Sequence, residues 1–387
     1  MDTEAEAERD SGSEHSLWSR PSLIYDRFFY RRQGVSLRTS LLRTALFAAI
    51  GLCIATFFLW DFGQGDSVEV IVQSSQHDYS KEAYVTLLAP QKPHPWSLGE
   101  PDYYFESCKI KAHRLLRNTT TRDPYNRPYV ILVTPDVPLK QIEILELHGA
   151  IVKRVPIIEP PLGTITPDLM NPRYRDQFTK LHVWNMTEYD RVAFFDADAL
   201  PIRPIHSIFD TPTEKRGDEE WLFAAVYDSG ELRMGGQRNP PGPEDKGRPQ
   251  DNQLNAGVFL LSPTQTQADY IWDLMHNPPP GIDFSIFMEQ QFLRWAYRDD
   301  GPYPWIRLSH LYNTLWAKDF DLDTAYVLHD KLWGAGYASV EPGVREVWFQ
   351  AWGEMVGWDA TRYFDGIRDW YSDQGPDISD TLQSSRV

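Results

Sequence analysis

From Ala83 onward, short apolar runs alternate with amphipathic stretches. Ala83–Ala89 (AYVTLLA) reads as a buried strand, and Tyr129–Thr134 (YVILVT), Ile151–Val155 and Arg191–Phe195 as further strands. Pro90 and Pro135 stop the first two. Tyr103–Leu116, Leu139–Leu147 and Gln177–Glu188 space their apolar residues for helices; in the last, Phe178, Leu181 and Trp184 share one face. Continuous apolar strands separated by helices predict a mostly parallel sheet covered on both sides. Such sheets take their ligands beyond the C-terminal ends of the strands.

The second half is less regular. Leu222–Tyr227 and Gly257–Leu261 read as strands, Thr266–Met275 and Ile286–Tyr297 as helices, and Tyr326–His329 as a late short strand. Gly235–Asp251 is a long insertion rich in Pro and Gly, either disordered or functional. The C-terminal third carries Trp316, Trp333, Trp348, Trp352, Trp358 and Trp370. Packing is the expected role, with stacking of one or two on an acceptor sugar as the other reading. Residues 372–387 read as a disordered tail.

Ahead of the alternating region, Thr44–Trp60 (TALFAAIGLCIATFFLW) carries no charge. Leu41 and Leu42 extend it to spanning length across Arg43. Arg27, Arg31, Arg32, Arg38 and Arg43 precede it, and Asp61, Asp66 and Glu69 follow. The positive-inside rule then predicts a single-pass signal anchor with a cytosolic tail at 1–43, a stem at 61–80 and the globular part, 81–371, on the far side. The polar tail is too long for an ordinary cleaved signal peptide. A short span suits the thinner endoplasmic reticulum or Golgi membrane. Of two sequons, Asn118-Thr119-Thr120 lies in a loop-like stretch. Asn185-Met186-Thr187 falls in a predicted helix against the core and is expected to go unused.

The 387 residues are 42% hydrophobic, enough for one large core. A net charge of −17 argues against a nucleic-acid binder, which would show a basic face. An anionic substrate therefore needs a local cation. Two cysteines, Cys53 and Cys108, make no disulfide framework.

The chemistry concentrates at DRVAFFDADALPI, Asp190–Ile202. Asp196 and Asp198, at i and i+2, share one side of the extended chain at the end of a predicted strand. Their repulsion is relieved by a divalent cation, and carboxylates suit Mg or Mn. A solvated surface turn is the bland alternative, disfavoured by the position at a strand end.

FTKLHVWNMTEYDRVAFFDADAL resembles the segment bearing the DxD motif of glycosyltransferase family 8, the glycogenin-like retaining transferases. YVTLLA, LNAGVFLLSP and VLHDKLW agree in order and spacing, so the resemblance spans roughly residues 83–335. It implies one GT-A type, Rossmann-like α/β domain behind the anchor. The long anchored form looks most like fungal Golgi members described as α-N-acetylglucosaminyltransferases. It also implies Mn (or Mg) on Asp196, Asp198 and His329, with Asp196 near the donor ribose. Lys331 falls near the lysine that contacts the diphosphate, and Lys180 matches the lysine of the TKL helix that reaches the donor. Leu87, Leu88 and Ala89 would line the uracil pocket; Asn255 and Asp228 match sugar-binding residues; Gln290 would sit below the reacting sugar. The implied reaction moves a hexose or N-acetylhexosamine from a UDP-sugar, UDP-GlcNAc first and UDP-glucose second, to a glycan or glycoprotein in the Golgi or endoplasmic reticulum.

Two departures stand out. The family's Asp-x-x-Asp-Gln run is IFMEQ here, with Glu289 for its second acid and none for its first. The arginine before the TKL helix is displaced, leaving Arg173 or Arg175 for it. The alternative from another class is a non-catalytic, membrane-anchored sugar-binding module on the same fold. A haloacid-dehalogenase reading of FFDADAL fails because Ala199 follows the second Asp and the motif is not at the first strand.

Overall fold

In the computed structural model, six strands expected from the apolar runs and a seventh that the sequence reading does not include, Ile306–Leu308, join one sheet. They are β1 (Glu82–Leu88), β2 (Tyr129–Val133), β3 (Ile151–Arg154), β4 (Arg191–Phe195), β8 (Phe223–Tyr227), β9 (Leu254–Leu261) and β10 (Ile306–Leu308), in the spatial order β10-β8-β9-β4-β1-β2-β3. The described residues are 77–90, 101–169, 172–228, 253–334 and 340–374, with the side chains of 172–175 and 363–374 excepted. All belong to the second of two compact units, Gln76–Val387. The expected tail at 1–43, anchor at 44–60, most of the stem, the Gly235–Asp251 insertion, the side chains of Arg173 and Arg175, and most of 372–387 lie outside them. Among the described residues no helix is long and apolar enough to cross a membrane.

Because successive strand residues face opposite ways, the sheet makes two cores. Val85, Leu87, Val130, Val192, Phe194 and Phe259 face Phe178, Leu181 and Trp184. Tyr84, Leu88, Tyr129, Ile131 and Phe195 face Phe105, Cys108 and Leu115 of helix α1 (Tyr103–Leu116). Asp102 caps α1 by accepting from the N–H groups of Tyr104 and Phe105. Helix α2 (Leu139–Leu147) lies on this second side through Leu145.

Three features depart from the sequence reading. β9 runs antiparallel to both β4 and β8, so the sheet is mixed. Gln177–Glu188 is instead a 3-10 run over Pro172–Asn185, which leaves Asn185 exposed at its end rather than against the core. Helix α4 (Glu289–Ala296) starts after Met288, not at Ile286, because Met288 holds φ of +48°, which no right-handed helix accepts. Helix α3 (Gln265–His276) agrees with expectation and is capped by Thr264.

A second small sheet orders β11 (Thr314–Leu315), β12 (Val327–His329) and β5 (Ala199–Pro201), and a hairpin of β6 (Glu214–Arg216) and β7 (Glu219–Trp221) stands apart. Leu200 and Leu328 of the small sheet join Ile110 of α1 and Val344, Trp348, Ala351 and Met355 of helix α5 (Pro342–Gln374) in a third core. Trp348 is thus a packing residue, and Trp352 donates to Glu106 at 2.8 Å.

Candidate active site

The pairing of β5 with β12 builds the site. Asp196 and Asp198 follow the C-terminal end of β4, and β5 begins at the next residue. β12 lies antiparallel to β5 with His329 opposite Ala199, which delivers the imidazole beside Asp198. One ligand atom from each of Asp196, Asp198 and His329 lies within 4.8 Å of the others. His329 Nε2 is 3.3 Å from Asp198 and 4.0 Å from Asp196. The donor set, two carboxylates and an imidazole at one opening, fits a divalent ion of the Mn or Mg type.

Cations flank these acids. Lys331 Nζ stands 3.2 Å from Asp198, and Lys180 Nζ stands 2.9 Å from Asp196. Burial opposes ionisation of Asp198, but Lys331 and His329 outweigh it and hold this carboxyl well below its usual range. Burial likewise works against the charged His329, and the two aspartates outweigh it and raise its pKa. Repulsion within the pair is thereby absorbed by the protein itself.

Lys180 is 1% exposed and meets Asp196, Glu289 at 2.9 Å and the carbonyl of Ala256 at 3.0 Å. Burial tends to discharge it; the two carboxylates overcome that and raise its pKa. Glu289 is therefore engaged, although burial still raises its own pKa. A second buried amine, Lys111 of α1, donates to the Asp196 carbonyl at 2.5 Å and to Thr86 at 3.1 Å.

The NAG block supplies main-chain donors. Between Ala225 and Val226 the register of β8 on β9 slips from Phe259 to Asn255. The N–H groups of Ala256 and Gly257 turn instead to side chains, Gln290 Oε1 and Asn255 Oδ1, each at 2.9 Å. Gln290 then donates to Asp228 at 3.1 Å, and Arg294 donates to the same carboxylate at 2.7 Å. Asn313 donates to Asn255 at 2.8 Å and lies 2.8 Å from His329 Nδ1. A Cβ at Gly257 would stand 2.0 Å from His329 Cε1, so only glycine admits the ring.

The structure thus brings together Asp196, Asp198, His329, Lys331 and Lys180, and, through Ala256 and Gly257, links them to Asn255, Gln290 and Asp228. Leu87 and Leu88 lie at the end of β1. Both are buried in the cores on opposite faces of β1, leaving only main-chain atoms for a uracil, while Ala89 is half-buried at the strand end. Four participants escaped the sequence reading: Lys111, Gly257, Arg294 and Asn313. Gly257 had a signal, as a glycine inside a strand block. The other three have none locally.

No family model matches the chain. Two uncharacterised proteins of Schizosaccharomyces pombe are 27% and 28% identical to it, over 66% and 67% of this chain and 76% and 75% of theirs. Galactinol synthase 1 of Ajuga reptans is 30% identical over 56% of this chain and 61% of its own length. Among solved structures, the glycosyltransferase GlyE of Streptococcus pneumoniae TIGR4 aligns at 17% identity with a TM-score of 0.42. That alignment covers 73% of this chain and 63% of GlyE, so the chain spans less than two thirds of it.

Proposed function

We propose that the chain is a glycosyltransferase of the family 8 type, moving a hexose or N-acetylhexosamine from a UDP-sugar to a glycan or glycoprotein acceptor with retention of configuration. The observation that carries this reading is the Asp196–Asp198–His329 cluster at a strand end, flanked by Lys180 and Lys331. The kinship with galactinol synthases supports the transferase class.

Asp196, Asp198 and His329 are the residues that would hold a divalent ion, with Mn the first expectation. Bound there, the ion supplies Lewis-acid neutralisation of a departing diphosphate. Lys331, half-buried beside Asp198, is placed to exchange its carboxylate partner for a phosphate oxygen as charge grows on the leaving group. Gln290 has no freedom to act as a base, because Ala256 and Asp228 hold both ends of its amide. Its carbonyl keeps a second lone pair to stabilise positive charge at the anomeric carbon. Arg294 and Gln290 fix Asp228 for hydrogen bonding to the sugar. With Glu289 buried and bound to Lys180, no carboxylate is presented as a nucleophile from this run. The acceptor hydroxyl then attacks from the face the phosphate leaves. Its oxygen bonds to the anomeric carbon, the bond from that carbon to phosphate oxygen breaks, and the hydroxyl proton passes to the phosphate.

The donor sugar belongs to the same proposal: UDP-GlcNAc first, then UDP-glucose and UDP-galactose, all from the resemblance. So does membrane placement, with 44–60 as a type II anchor and the enzyme facing the Golgi or endoplasmic reticulum lumen. Protease protection of the full chain in microsomes tests that placement, and digestion without detergent would refute it. Calorimetry of the full chain with UDP tests the site. Binding should require Mn and disappear in Asp198→Asn; equal binding with EDTA would overturn the metal's part.

A further inference from the structure

Side-chain amides and imidazoles can exchange roles by a flip of the group. A main-chain N–H cannot, because it only donates. One such group anchors the bonds behind His329. Gly257 N donates to Asn255 at 2.9 Å, so the Asn255 atom there is Oδ1. Asn313 meets that same oxygen at 2.8 Å, so it does so with Nδ2, the only donor its amide has. The other end of the Asn313 amide is then Oδ1, and it lies 2.8 Å from His329 Nδ1. An acceptor at that distance requires a proton on Nδ1.

Each link is fixed by the one before it, back to a backbone atom. The proton on Nδ1 persists whether the ring is charged or neutral. Nε2 is therefore the nitrogen that loses its proton to leave a lone pair, and it is the one facing Asp198 and Asp196. Asn313 is 1% exposed and precedes β11, the strand that pairs Leu315 with His329. It is held independently of the acids it serves.

We infer that Asn313 is a positioning residue for the metal: with Asn255 and the Gly257 N–H it locks His329 in the Nδ1–H form and presents Nε2 to the ion. The purpose of this relay rests on the metal site proposed above; its geometry does not. Asn255 gains a defined role as well. Its oxygen already accepts two hydrogen bonds, so it meets a donor sugar as a hydrogen-bond donor through Nδ2.

The test uses the full chain, metal-free. Mn titration followed by the electron paramagnetic resonance of free Mn gives dissociation constants for the wild type, Asn313→Ala and Asn313→Asp. Loss of a bond that orients a ligating histidine typically weakens metal affinity roughly 10–100-fold, and that weakening is expected for Asn313→Ala. Asn313→Asp keeps an acceptor for Nδ1–H but loses the donor to Asn255 Oδ1, so it should restore only part of the affinity lost in Asn313→Ala. A merely structural role would lower the melting temperature of Asn313→Ala and leave its Mn affinity alone, which would overturn the inference. Should Asn313→Ala fail to fold, the wild type decides. Long-range nitrogen–proton spectra of the histidine-labelled chain, with His329 assigned by its loss in His329→Gln, should show Nδ1 protonated and Nε2 bare above the ring's titration. The opposite tautomer would refute the relay even if Mn binds. Absence of Mn binding in the wild type would instead refute the metal reading.

Discussion

Gly257→Ala inserts one methyl group at the point where β9 passes the imidazole. The added carbon would lie 2.0 Å from His329 Cε1, 2.6 Å from Nδ1 and 3.0 Å from Asn255 Oδ1. The ring must retreat by about 1.4 Å to reach ordinary van der Waals contact, which begins at 3.4 Å. Its bond to Asn313, 2.8 Å long, resists that movement. Metal ligands tolerate displacements of only about 0.2 Å, so a shift this large removes His329 from the coordination shell. We expect Mn affinity to fall by at least about 100-fold, beyond the upper end for losing an orienting partner alone. Overpacking should cost about 1–3 kcal/mol of stability, a modest drop in melting temperature. Calorimetric Mn titration beside thermal unfolding separates the two effects. Wild-type Mn affinity in a folded Gly257→Ala would refute the placement of His329 as a ligand.

Three further expectations follow from buried charges and exposed glycines. Lys180→Met strands Asp196 and Glu289 without their shared cation; removing one partner of a buried pair costs about 3–5 kcal/mol, readable by urea unfolding, and an unchanged midpoint would contradict it. Burial lowers the pKa of Lys111 from 10.5 to about 8, so the unfolded chain holds this proton across that interval while the folded chain does not. Stability should therefore rise with pH from about 8 to 10.5, by roughly 3 kcal/mol for this group. The slope should be absent from the curve of Lys111→Met, and its persistence there would assign it elsewhere. Gly353 and Gly357 lie within α5 with open space at the missing Cβ; replacing either by Ala should stabilise the domain by about 0.5–1 kcal/mol in thermal unfolding, and destabilisation would show that helix to be distorted there.

Strands β1, β2, β4 and β9 were legible because burial on both faces removes polar residues from the run. Asp196 and Asp198 stood out for the opposite reason, as charges where an apolar strand stops. Helix α5 went unread although Pro342 opens it and Trp348, Ala351 and Met355 share a buried face, because its tryptophans suggested packing without a period. The antiparallel course of β9 left no mark, since a buried strand looks alike in either direction. The resemblance assigns Leu87 and Leu88 to uracil; their side chains fill the two cores, which leaves their main-chain atoms for that role. Asn313 could not be found at all: its partners are 58 and 16 residues away in the chain. The stretch from Leu311 to Trp316 has no feature that marks it as part of a metal site.

The central claim is metal-dependent transfer from a nucleotide sugar. The most direct measurement is hydrolysis of UDP-GlcNAc, UDP-glucose and UDP-galactose by the full chain, with Mn or with EDTA, beside Asp198→Asn. We predict turnover of one donor that needs Mn and vanishes in the variant. Turnover that survives EDTA and Asp198→Asn would contradict the account, and so would absence of turnover with every donor together with no binding of UDP.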